Sequence, residues 1–304
     1  MLKPSMLAAI GNTPLIHVNL YQSAPLYAKL EYLNPGGSVK DRSALFMIEE
    51  GERTGKLKPG YTIIDASSGN QGIATAMIGA IKGYPVIICV SEKISTEKKE
   101  TLKALGAQIV VCPSTPTFDY PDNYYQRAVQ LHKSMPTSFM PNQYFSPINA
   151  QAHYTLLGPE IWRQTQGNIT HFVAGTGTCG TITGVGRYLK EQNPAVQIIG
   201  TDAANSFYST GGCPQPYCVE GIGIDWESTI LDHAVVDQII PVQDENALTM
   251  LKTLAHKHGI LVGPSSGAVA YVAQQLAPTL KSSDLLVMIF GDSGRAYLTK
   301  GFYS

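Results

Sequence analysis

Three short stretches carry residue types that do chemistry. In NPGGSVKDR (Asn34 to Arg42), a turn built on Asn34, Pro35, Gly36 and Gly37 delivers Lys40 to the start of an apolar run of helical spacing (Ala44, Leu45, Met47, Ile48). Taken alone, such a lysine is a solvated side chain at a helix start, so its use depends on what the rest of the chain brings to it. DASSGNQG (Asp65 to Gly72) sets two hydroxyls, a glycine and an amide at a second helix start. That is more polarity than one N-cap needs, and it offers an anion site as well as a cap. GTGTCGTITG (Gly175 to Gly184) alternates Gly and Thr after an apolar strand, so that backbone N–H groups and hydroxyls can close round a phosphate at the positive end of a helix. It matches neither the GxxxxGK[ST] loop nor GxGxxG with a distal acid, which points to a monophosphate and away from a dinucleotide. GPSSGA (Gly263 to Ala268) opens the last long helix and by itself reads as a serine cap.

These loops need a scaffold that holds helix N-termini around one crevice. Short β-branched runs supply strands: YTIID (Tyr61 to Asp65), PVIICV (Pro85 to Val90), QIVVC (Gln108 to Cys112), HFVAG (His171 to Gly175), QIIGTD (Gln197 to Asp202) and LLVMIF (Leu285 to Phe290). Segments of helical period separate them, at 69–83, 96–106, 181–192 and 245–259, three of which end at a glycine suited to a C-terminal cap. This alternation predicts α/β architecture with parallel sheets covered by helices on both faces, that is, Rossmann-like three-layer αβα lobes. The stretch 113–123, with three prolines, reads as a loop or lobe edge.

At 304 residues, 44% of them hydrophobic, the chain can fill one large or two modest lobes. Lys plus Arg (22) balance Asp plus Glu (23) without like-charge runs, so there is no electrostatic footprint for nucleic acid or an anionic membrane. Pro4 interrupts the first apolar stretch, and a cytoplasmic location is expected. Five scattered cysteines do not suit a disulfide framework. Cys213 and Cys218 flank PQPY but lack a second ligand pair, so they read as loop thiols and no metal is expected.

A lysine presented by a turn, a monophosphate cradle and no nucleotide signature together point to pyridoxal 5'-phosphate (PLP), held by phosphate contacts and by an imine to Lys40. NPGGSVKDR, SSGNQG, GTGTCGT, EGIG (Glu220 to Gly223) and SSG (Ser265 to Gly267) occur in the order seen in the cysteine synthase and cystathionine β-synthase family. The chain resembles that family of fold-type II (tryptophan synthase β-like) PLP enzymes from GNTPL at Gly11 to GDSGRAYLTK at Gly291, nearly its whole length. The resemblance implies a smaller lobe over 44–146 and a larger PLP-binding lobe over 1–43 plus 147–304. It also implies that Lys40 is the imine lysine and the Cα base, and that Asn70 bonds the cofactor's phenolic oxygen. Gly177, Thr178, Cys179, Gly180 and Thr181 would bind the phosphate, and Ser265 would face the pyridine nitrogen. Ser67, Ser68, Gly69 and Gln71, with Gln143 and Gly221, would surround the amino-acid substrate.

A hydroxyl at Ser265 does not keep the ring nitrogen protonated, which favours loss of a β-substituent. The implied reaction is β-replacement through an aminoacrylate, of cysteine synthase type, with O-acetylserine or a similar substrate and sulfide. The alternatives are cystathionine formation from serine or an activated serine and homocysteine, a diaminopropionate-type synthase, or a non-catalytic PLP-binding homologue. A homodimer is implied as well. Three departures from the family pattern stand out. Gln71 replaces the usual Thr, and Cys179 replaces the usual Gly, where its N–H serves the phosphate as glycine's does only if φ stays negative. Ile224 replaces the Tyr common in eukaryotic cystathionine synthases.

Overall fold

The computed structural model describes residues 2–21, 25–67, 69–115 and 118–304. The elements run in the order β1 (Leu15–His17), β2 (Leu26–Leu30), α1 (Lys40–Arg53), β3 (Thr62–Ala66), α2 (Asn70–Lys82), β4 (Val86–Ser91), α3 (Thr96–Ala104), β5 (Gln108–Cys112), α4 (Tyr124–Ser134) and β6 (Ser138–Phe139). They continue through α5 (Ile148–Thr155), α6 (Leu157–Gln164), β7 (His171–Gly175), α7 (Gly180–Gln192), β8 (Gln197–Ala203), β9 (Gln238–Val242), α8 (Asp244–His258), α9 (Pro264–Leu276) and β10 (Leu286–Phe290). The described strands form a six-stranded sheet, β1-β2-β10-β7-β8-β9, and a four-stranded sheet, β5-β4-β3-β6. All pairings are parallel except that of β1 with β2.

Both sheets are coated on both faces, as their apolar runs require. In the larger sheet Val173, Met288 and Phe290 pack under α8 and α9, while the alternating Phe172, Ala174, Val287 and Ile289 pack under α6 and α7. In the smaller sheet Ile63 and Ile88 face α1, α2 and α3, while Ile64, Ile87 and Cys89 face α4. The architecture is thus α/β with two αβα units, as the alternation predicts. Each strand read from the sequence is present within one residue of its expected ends. The short strands β1, β2, β6 and β9 and the helices α4, α5 and α6 were not read. Gly83 and Gly259 are left-handed C-caps, as expected; Gly106 lies one residue beyond its cap, Leu105. The Gly-rich face of α7 brings it against α5, where a Cβ at Gly184 would collide with the Ala150 carbonyl oxygen.

A buried ionic cluster fixes how α1 leaves the larger sheet. Arg42 grips Glu31 through Nε (2.7 Å) and Nη2 (2.8 Å), and Glu160 through Nη1 (2.9 Å) and Nη2 (3.0 Å). Lys29 bonds Glu160 from the other side and Gln164 at 2.8 Å. Burial opposes ionisation of Glu160, but the Arg42 and Lys29 contacts outweigh it and hold its carboxyl down to about 2. Arg42→Met would leave the buried Glu31 carboxylate without its cation and Glu160 with Lys29 alone. We expect it to cost about 3–5 kcal/mol in urea unfolding, whereas Arg53→Met, which breaks only the solvent-screened pair with Glu50, should leave the unfolding midpoint essentially unchanged.

Candidate active site

The turn after β2 closes through the Gly37 N–H to the Asn34 carbonyl at 2.8 Å, with Gly37 at φ +86°, a region that favours glycine. Ser38 then bridges to Asp292, and the Val39 N–H donates to the Gly291 carbonyl at 2.8 Å, so the chain is pinned to the end of β10 just before α1 begins. Lys40 is the first residue of α1 and its Nζ donates to Thr178 Oγ1 at 3.1 Å. Burial lowers its amine to about 8, an effect that Cys179 and Asp65 only partly offset. About a tenth of the amine is therefore neutral at pH 7.

Two cavities meet at Lys40. The inner one, of 80 Å³, is lined by Asn70, Gly177, Thr178, Cys179, Thr181 and Ser265, among others. The outer one, of 260 Å³, is lined by Ser67, Asn70, Gln71, Gln143, Gly177 and Thr178, among others. Gly221 (φ +94°) borders both. Backbone packs tightly here: a Cβ on Gly177 would sit 3.0 Å from the Gly221 oxygen, and one on Gly180 would collide with Asn149. The N-terminus of α7 has no side-chain cap bond, leaving its first N–H groups free beside the inner cavity.

Hydroxyl orientation follows from counting lone pairs. Thr178 Oγ1 accepts from Lys40 and from Asn149 Nδ2, each at 3.1 Å, so its own proton is left to donate. Ser67 Oγ accepts from the Gly69 N–H (3.0 Å) and the Gly72 N–H (2.9 Å), which again leaves an O–H donor. Gly69 (φ +141°), without a side-chain cap bond, precedes α2 in place of a serine or asparagine cap. Ser68 lies outside the described residues. Gln143 Nε2 donates to the Ala66 carbonyl at 3.1 Å, and Gln71 Oε1 accepts from Ser43 at 3.3 Å. Ser265 sits in the first turn of α9, whose cap is Gly263 followed by Pro264.

Residues 6–292 match the family model described as pyridoxal-phosphate dependent enzyme. The chain belongs to that family. It is 44% identical to a cystathionine β-synthase of Apis mellifera over 98% of its own length and 61% of the relative's, so it spans about three-fifths of that protein. It is 39% identical to a cysteine synthase of Helicobacter pylori, covering 100% of this chain and 99% of the relative. It superposes on the crystal structure of an O-acetylserine dependent cystathionine β-synthase from Helicobacter pylori with a TM-score of 0.93 at 38% identity, covering 100% of both chains.

The inner cavity suits the family's cofactor. It joins a primary amine of lowered pKa to a helix N-terminus whose approach is kept open by Gly177 and Gly180, where a Cβ would press on the Gly221 backbone and on the Asn149 side chain. Asp292, at the end of β10, lines the same cavity and was missed in the sequence, although ligands of parallel sheets gather at strand C-termini. So were Tyr124 and Tyr144, which wall the outer cavity together with Tyr217 and Trp226. Cys179 does not meet the condition of a negative φ: it stands at +63°, in the left-handed region that favours glycine, yet it still caps the N-terminus of α7 beside the inner cavity, so the sign of φ does not remove its N–H from the site. The protein tolerates the strain because the side chain is buried and its Sγ–H reaches the Gly177 carbonyl at 3.3 Å. Burial pushes this thiol up to about 12. Cys179 should therefore resist iodoacetamide at neutral pH in the native protein while exposed Cys213 is labelled, as read by peptide mass mapping.

Proposed function

We propose that this chain carries out β-replacement on a serine-derived amino acid, with O-acetylserine or a similar ester as first substrate and sulfide as nucleophile. What supports this most is Lys40 Nζ at the seam of two cavities, one suited to a phosphate-bearing cofactor and one suited to an amino acid. When bound, PLP supplies the electron-withdrawing ring that acidifies the substrate Cα–H and lets a β-substituent depart. The protein's residues do the rest. The Lys40 amine, partly neutral because it is buried, anchors the cofactor and accepts the Cα proton. Gly177, Thr178, Cys179, Gly180 and Thr181 hold the phosphate; Asn70 and Ser265 contact the ring. Ser67 and Ser68, with Gly69, Gln71, Gln143 and Gly221, bind the substrate, the Ser67 O–H donating to its carboxylate.

Ser265 offers a neutral hydroxyl, which leaves the ring nitrogen unprotonated and so favours departure of the β-substituent over other fates of the Cα electrons. The lobe division at 44–146, a homodimer and a cytoplasmic location belong to the same proposal. Homocysteine as nucleophile is a second reading. What favours it is the wall of tyrosines and tryptophan in the outer cavity, which offers apolar surface to the carbon chain of a nucleophile entering beside the first substrate.

Purified holoenzyme assayed with O-acetylserine, O-phosphoserine or serine, each against sulfide and homocysteine, will show whether cysteine or cystathionine forms. Lys40→Ala should lose the visible absorbance of the lysine-bound cofactor and lower turnover by on the order of a thousandfold or more. Retention of either would overturn the role of Lys40. If the glutamine selects substrates, Gln71→Thr should change the kcat/KM ratio between two β-substituted serines by on the order of tenfold; a common factor for all of them would mean that it only replaces the usual donor.

A further inference from the structure

A chain of buried polar groups runs from the smaller sheet's helices to Asn70. Lys98, on α3, donates from Nζ to the Tyr297 hydroxyl at 2.9 Å and lies 4.1 Å from that ring's centroid. Tyr297, in the 3₁₀ segment Gly294–Lys300 beyond β10, donates to Asp292 Oδ2. The same oxygen accepts from Asn70 Nδ2 at 2.7 Å. Lys98, Tyr297 and Asp292 are at most 3% exposed, a depth at which an ionised group is retained only with partners.

The direction of the chain is fixed by chemistry. An ammonium only donates and a carboxylate only accepts, so Tyr297 must pass its proton toward Asp292, and Asn70 must turn its NH₂ end to the same oxygen. That leaves the second Nδ2–H and Oδ1 of Asn70 in a set orientation beside the inner cavity, which Asn70 lines. Lys98 also pairs with Glu220 at 2.9 Å, in the loop that walls the outer cavity. Its stem covers Gly69, where a Cβ would collide with Lys98 Cδ. One lysine thus touches the start of α2, the segment after β10 and the substrate-side loop, and so joins the two sheets' ends of the site.

We propose that Lys98, Tyr297 and Asp292 are positioning residues that set the orientation of Asn70 toward the cofactor, tying it to the contact between α3 and the Glu220 loop. This rests on the reading of Asn70 as a cofactor-contacting residue. Burial favours the protonated form of the Asp292 carboxyl and the Lys98 charge opposes it; without Lys98 the carboxyl keeps a proton more readily and can then donate to the Asn70 carbonyl oxygen, so the amide is free to turn over.

The test uses holoenzyme of wild type, Lys98→Met, Lys98→Arg and Tyr297→Phe, the last keeping the ring and removing only the relay hydroxyl. Visible absorption spectra, kcat and KM for the amino-acid substrate, and thermal unfolding are recorded for each. We expect Lys98→Met and Tyr297→Phe to shift the bound cofactor's absorption maximum or band ratio and to lower kcat by on the order of tenfold, with a smaller change in KM; Lys98→Arg should restore the spectrum in large part. Folded Lys98→Met or, if that variant does not fold, Tyr297→Phe with the wild-type spectrum and kcat overturns the proposal, whatever its melting temperature. Absence of cofactor absorbance from the wild type would instead overturn the parent reading.

Discussion

The placement of Lys40 depends on the buried grip of Arg42. Lys40 and Arg42 are two residues apart on α1, hence about 200° apart around the helix, so a helix that turns Arg42 into the protein body must turn Lys40 out toward the cavities. Arg42 is held by Glu31, just after β2, and by Glu160 on α6, and both carboxylates are engaged from other sides by Thr13 Oγ1 (2.6 Å) and the Asn12 N–H (2.9 Å). Such a cluster is a weak source of stability, because desolvating the charges offsets much of their attraction. Its value here is geometric. Each charge has several fixed partners, so the helix has one roll angle, and the amine two residues upstream inherits it.

The cofactor side of the site is organised by filling lone pairs and excluding Cβ atoms. Ser67 and Thr178 each accept two hydrogen bonds from the protein, which commits the remaining proton to whatever enters the cavity. Preorganised donors of this kind need little reorganisation when an anion arrives. The glycines act by subtraction: Gly177 lets the loop after β7 approach the backbone of Gly221, and Gly180 lets the first turn of α7 approach Asn149. Cys179 shows the limit of that rule. Its backbone takes the left-handed geometry without glycine's freedom, and the cost is met by a buried sulfur that packs with Ile182 and Val185 in the core of α7.

Much of this was legible in the sequence because it is local. The NPGG turn, the strand runs ending at SSGNQG and GTGTCGT, and the order of those motifs all rest on neighbouring residues, and neighbouring residues specify turns and helix starts. What was not legible is long-range or depends on sign of φ. Nothing near Asp292 or Lys98 announces that they share Tyr297, 5 and 199 residues away respectively. The tetrad of Lys29, Glu31, Arg42 and Glu160 reads as ordinary surface charge until the fold buries it. The two-residue strand β6 and the three-residue β1 are too short for a period to be seen. At Cys179 the backbone takes a left-handed geometry that favours glycine, and a cysteine in the sequence does not announce it.

The electrostatics of Lys40 show why the surrounding carboxylate sits where it does. Asp65, at the end of β3, is wholly buried; burial pushes its carboxyl up to about 6, against the Thr75 hydroxyl, the Gln71 side chain, the Ala66 N–H and the Lys40 charge. At neutral pH it is still mostly ionised and pulls the Lys40 amine toward protonation, but burial of the amine is the larger influence. Were Asp65 in direct contact with Nζ, the pair would lock as an ion pair, and an ammonium is no nucleophile. Because Nζ instead bonds the neutral Thr178 hydroxyl, and Asp65 spends its lone pairs on Thr75 and its own strand, the amine keeps a neutral fraction near physiological pH. The site therefore depends as much on what Asp65 is prevented from touching as on what Lys40 touches.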